Sequence, residues 1–139
     1  MFRKRARLPI LAILCSDADR ATLKRAVPEA AVTESWDEAA PLLGSTRFAA
    51  VVCDRDLPGR DWRETVRELA KLSPCILLAS PILNGSLWQE VVQCGGYDVL
   101  AKPLEERHVL KTIEQALRYT ALRDNALAHC VENQLRRSM

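Results

Sequence analysis

Polar and apolar positions alternate along this chain in two distinct rhythms. Continuous apolar runs at Leu8–Cys15, Phe48–Cys53 and Cys75–Ser80 are too short and too unbroken for amphipathic helices; they predict strands buried on both faces. Weaker runs at Ala30–Thr33 and Tyr97–Ala101 predict two more strands. Between the runs, apolar residues recur at helical spacing. One helix follows Ser16-Asp17-Ala18-Asp19 and ends near Val27, before Pro28. A second, capped by Asp37, reaches about Leu43 and stops at Gly44. A third covers about Asp61–Leu72, with Val66 and Leu69–Leu72 facing inward, and a fourth covers Leu87–Cys94 and ends at Gly95-Gly96. From Glu105 onward the pattern is helical for most of the remaining chain.

Five strand–helix repeats predict an α/β fold, a parallel sheet covered on both faces with right-handed crossovers. In such sheets functional groups gather beyond the C-terminal ends of the strands, near a switch in strand order. Cys15-Ser16-Asp17, Asp54, Ser80 and Lys102 stand at the predicted ends of strands one, three, four and five. Four polar stations on one edge make a candidate site.

Composition narrows the classes without changing the fold. With 139 residues, 48% hydrophobic and 27% charged, the chain has the balance of one globular domain. A net charge of +2 is too small to argue for direct nucleic-acid binding, and the basic clusters Arg3-Lys4-Arg5-Ala6-Arg7 and Arg136-Arg137 read as solvated arms. No apolar run approaches the roughly 20 residues of a membrane span. The apolar stretch after the basic start is too short for a signal peptide and lacks a cleavage site, so the expected location is cytoplasmic. The five cysteines, 15, 53, 75, 94 and 130, are scattered without metal-ligand spacing, which argues against structural zinc and against a disulfide framework.

The stretch Val51-Val52-Cys53-Asp54-Arg55-Asp56-Leu57-Pro58-Gly59 resembles the motif of response-regulator receiver domains: an apolar strand, the phospho-accepting Asp, a short spacer and Pro-Gly. Leu100-Ala101-Lys102-Pro103 resembles the strand-five Lys-Pro motif of that family, and Gly95-Gly96-Tyr97-Asp98 resembles its approach. The resemblance implies a flavodoxin-like (βα)5 domain over residues 8–118, strand order 2-1-3-4-5, between a basic arm at 1–7 and a helical extension or linker at 119–139. It implies that Asp54 attacks a donor phosphohistidine, that Lys102 neutralises the phosphoryl oxygens, and that a strand-four hydroxyl binds the new phosphate. Counting back from Lys102 favours Ser80 for that hydroxyl; counting forward from Pro74 gives Ala79. Magnesium would bridge Asp54, the backbone carbonyl of Asp56 and, in a slipped register, Asp17.

The departures from the family pattern matter as much. Cys15 and Ser16 stand where two adjacent acids normally hold magnesium, so any metal binding is expected to be weak. Val99 stands where the family has an aromatic switch; Tyr97 is two residues earlier. The chain lacks a phosphate-cradling loop after strand one, which argues against a flavin carrier or a flavodoxin-like enzyme. Two functions stay open, neither enzymatic. One is a receiver phosphorylated on Asp54 by a sensor histidine kinase, altering its contacts with another signalling protein. The other is a phosphorylation-independent pseudo-receiver that docks or dimerises. Leu127, Val131 and Leu135 keep helical spacing beyond the domain, and predict a homodimer through the last helix, with Trp88 of the fourth contributing.

Overall fold

The computed structural model describes the backbone of residues 9–138 and the side chains through Leu122. Five strands, β1 (Ile10–Ile13), β2 (Ala31–Thr33), β3 (Ala50–Asp54), β4 (Ile76–Ser80) and β5 (Asp98–Ala101), alternate with five helices. The helices are α1 (Asp17–Ala26), α2 (Trp36–Ser45), α3 (Trp62–Ala70), α4 (Gly85–Gln93) and α5 (Glu106–Ser138). All strand pairs are parallel and the sheet order is β2-β1-β3-β4-β5. The predicted fold class and strand order hold.

Alternation along the strands divides the core in two. Ala12, Leu14, Val52, Leu77, Ala79 and Leu100 meet Leu23 of α1 and Val109 and Ile113 of α5. Leu11, Ile13, Val51, Cys53, Ile76 and Leu78 meet Ala39 of α2, Val66 and Leu69 of α3 and Val91 of α4. Every residue of β3 and β4 is buried, which is why both read as unbroken apolar runs.

Some boundaries differ from the pattern-based expectation. The cap of α2 is Ser35, whose hydroxyl accepts from the Glu38 amide, while Asp37 lies inside the first turn. Capped by Asn84, α4 begins two residues earlier than its apolar positions indicate. Leu69 is buried, but α3 ends at Ala70 and leaves Lys71 and Leu72 exposed rather than inward. Asp54 is the last residue of β3, at the strand end where the pattern put it, while the strand begins at Ala50 rather than Phe48.

Candidate functional site

β3 and β5 deliver Asp54 and Lys102 to one edge. Asp54 has the parity of Val52 and Lys102 that of Leu100, so both side chains belong to the α1–α5 side. Lys102 Nζ donates to both Asp54 carboxylate oxygens, at 2.9 and 3.0 Å, and the Cys15 amide donates to Oδ2 at 3.1 Å. Asp54 is only 1% exposed, so its charge depends on these donors rather than on water. The sequence-predicted pair is brought together.

A third ionic residue joins them that the sequence reading passed over as helix lead-in. Asp19, in the first turn of α1, is buried; its Oδ2 lies 3.4 Å from Lys102 Nζ and its Oδ1 accepts from the Leu104 amide at 3.0 Å. The signal was present: Asp19, Leu23 and Ala26 are the buried residues of α1, at helical spacing, so Asp19 heads the inward stripe. Asp17 is off that stripe. Its carboxylate is 97% exposed and pairs with Arg20, so Asp17 is not brought to Asp54.

Ser80 is not brought there either. The register sets Ala79 beside Asp54, whereas Ser80 pairs with Ala101 and has the parity of Leu78, on the α3–α4 side. Its buried hydroxyl donates to the Ile82 carbonyl at 2.8 Å and accepts from the Ile82 amide at 3.1 Å, closing the turn around Pro81. The position beside the acceptor thus carries a methyl group. Tyr97 precedes β5 and packs toward the α1–α5 side, its ring 4.9 Å from that of Tyr119, while Val99 packs on the opposite side. Tyr97 therefore does not occupy the face of the missing aromatic.

These donors suit magnesium poorly. The Ser16 hydroxyl accepts from the Asp19 amide as the cap of α1, Asp17 is turned away to Arg20, and Cys15 offers a soft sulfur to a hard cation, which leaves Asp54 and the Asp56 backbone carbonyl as the oxygen donors expected at the site. Among the described residues no group of three His, Cys, Asp or Glu side chains could hold a metal. The resident positive charge is the Lys102 ammonium. Burial pulls its pKa down, but the Asp54 hydrogen bond and the charges of Asp54 and Asp19 outweigh burial and raise it. Burial, reinforced by Asp54, also raises the Cys15 thiol and pushes Cys53 up to about 12. Both thiols are kept neutral, Cys15 near the carboxylate and Cys53 on the opposite face of the sheet.

With this geometry, solved structures supply the comparison. A chemotaxis response regulator of Vibrio cholerae superposes with a TM-score of 0.71 at 22% identity, covering 81% of this chain and 100% of its own. The signal receiver domain of an HD domain-containing protein from Pseudomonas fluorescens superposes with a TM-score of 0.76 at 18% identity, covering 90% and 97%. The chain has the receiver fold. A response regulator from Thermotoga maritima shares that fold, with a TM-score of 0.71 at 17% identity, over 81% of this chain and 99% of the other. No protein-family model matches the chain, and no curated protein is significantly similar to it. This fold carries the Asp54–Lys102 pair at the C-terminal ends of β3 and β5.

Proposed function

We propose that this chain is a non-enzymatic receiver-type signalling module whose output is a protein–protein contact made without phosphorylation. The observation that carries the reading is the state of Asp54. Its carboxylate is buried and held by Lys102 and the Cys15 amide, and the register beside it presents Ala79 in place of a hydroxyl. Turning the Asp54 carboxylate into an acyl phosphate replaces one negative charge with about two. Here the added charge would meet one ammonium already shared with Asp19, with only poor divalent-ion donors to offset it. A sensor histidine kinase or another signalling protein of the cytoplasm is the class of partner, and no helix among the described residues is long and apolar enough to cross a membrane. The exposed apolar residues Ile82, Leu83, Trp88 and Val92 of α4 and its approach supply a contact surface.

A second reading is favoured by the Asp54–Lys102 contact itself. A carboxylate nucleophile with an ammonium at hydrogen-bond distance is the minimal apparatus for accepting a phosphoryl group. One experiment separates the two. The full chain is incubated with phosphoramidate and magnesium and its intact mass followed, with Asp54→Asn as control. The docking reading expects no added phosphoryl mass over hours. Stoichiometric labelling that Asp54→Asn abolishes would overturn it in favour of the phosphorylated receiver.

A further inference from the structure

The opposite edge of the sheet, where β3 and β4 begin, carries a cavity of about 510 Å³ between the α2–β3 and α3–β4 connections. Its charge is one-sided. Arg47 and Lys71 line it with the hydroxyl residues Ser45, Thr46 and Ser73, of which Ser45 already donates to the Leu42 carbonyl, and no described lining residue is acidic. Leu43 and the half-exposed Leu72 form an apolar wall. Two other surface cavities differ, because acids and bases alternate around them: Arg60 and Arg67 with Asp61, Glu64 and Glu68 in one, Arg107 and Lys111 with Glu105 and Glu114 in the other.

Ser73 is the second observation. It is 4% exposed, and its Oγ is buried without a hydrogen-bond partner. Buried hydroxyls in folded proteins are almost always bonded, and exceptions call for a water, an ion or a ligand. The protein side provides no partner, and Ser73 lines the cavity, so a turn of its side chain brings the hydroxyl to a ligand held there. Two cations and the two uncommitted hydroxyls, Thr46 and Ser73, match a doubly charged group with several terminal oxygens better than a carboxylate, which would leave one cation unmatched. The volume lies within the range of small-molecule sites.

We propose that this cavity binds a small organic phosphate monoester. Its phosphoryl oxygens meet Arg47, Lys71, Thr46 and Ser73, and its apolar body lies against Leu43 and Leu72. The site is at the far edge from Asp54, so the proposal holds or fails independently of the docking role.

The test uses the full chain, phenyl phosphate as probe, and inorganic phosphate and benzyl alcohol as partial probes, read by amide chemical shifts. Phenyl phosphate is expected to give saturable shifts confined to Thr46, Arg47, Lys71, Ser73 and their neighbours, with each partial probe binding more weakly. Arg47→Gln with Lys71→Gln changes only exposed side chains and should weaken binding about tenfold or more. Ser73→Ala should also weaken binding, yet leave the free protein's melting temperature unchanged or higher, because it removes an unsatisfied buried hydroxyl. Absence of saturable shifts at about 20 mM, a range that would detect millimolar affinity, overturns the site. So does a double variant that binds as well as the parent. A Ser73→Ala protein that melts lower and binds equally well makes that hydroxyl structural and overturns its place in the site.

Discussion

With a side chain 16% exposed, Lys102 serves two carboxylates that are almost wholly out of water, and one ammonium cannot neutralise both. Removing one partner of a buried ion pair strands the other charge, at about 3–5 kcal/mol. Lys102→Met should therefore destabilise the fold by that order in urea denaturation. Asp19→Asn should cost less, about 1–2 kcal/mol, because an amide oxygen can still accept from Leu104 and Lys102 keeps Asp54. Equal stability for Lys102→Met and wild type would show that the ammonium is not the counter-charge of the site. At this scale the sequence was legible for Asp54 and Lys102, since both follow strands marked by apolar runs and neighbouring Pro residues. It was not legible for the hydroxyl. Counting residues back from Lys102 and forward from Pro74 gives Ser80 and Ala79 respectively, and nothing local chooses between them.

Elements show how turns fix what the strands present. Between α4 and β5, Gly95 adopts φ +101°, and a Cβ there would lie 2.9 Å from the Ala70 Cβ. A Cβ on Gly96 would lie 2.5 Å from Val91 Cγ1 and 3.0 Å from the Val91 carbonyl oxygen. The glycine pair read from sequence as a helix stop also lets β5 pass tightly beneath α3 and α4, and so sets where Lys102 emerges. Gly96→Ala is expected to cost about 1–3 kcal/mol through overpacking, measurable as a lower melting temperature. Unchanged stability would mean that α4 moves aside freely. The α2 cap shows the limit of local reading. Ser35 and Asp37 are both good caps, and only the backbone, extended at Ser35, selects the serine.

For the whole molecule, the open question is assembly, and a homodimer through the continuation of α5 remains our proposal. The helix runs unbroken past Asp124 and Asn125 to Ser138, while the side chains of Leu127, Val131 and Leu135 lie outside those described. Burying such a stripe against a second copy stabilises by roughly 25 cal/mol per Å². A truncation after Leu122 keeps the buried Thr120 and the Tyr97–Tyr119 contact, so it removes the continuation and spares the domain. Light scattering should find a dimer for the full chain and a monomer for the truncation. Two monomers would end the proposal, and two dimers would move the interface to α4.

The chain's own pattern determined the five strand–helix repeats, the sheet edge that carries the chemistry, and the Asp54 and Lys102 stations on it. Those features are local: apolar runs, caps, and the Pro and Gly residues that stop them. Tertiary structure alone decided that Ala79 rather than Ser80 pairs with Asp54 across the sheet, and that Tyr97 leaves the strand for the α5 side. It also decided which first-turn acid of α1 reaches Lys102, although the helical stripe already favoured Asp19. The physical reason is burial on both faces. A strand covered on one side alternates polar with apolar and announces its parity, but β3 and β4 are buried throughout and apolar up to their last residues, so only the register between them says which residues share a face.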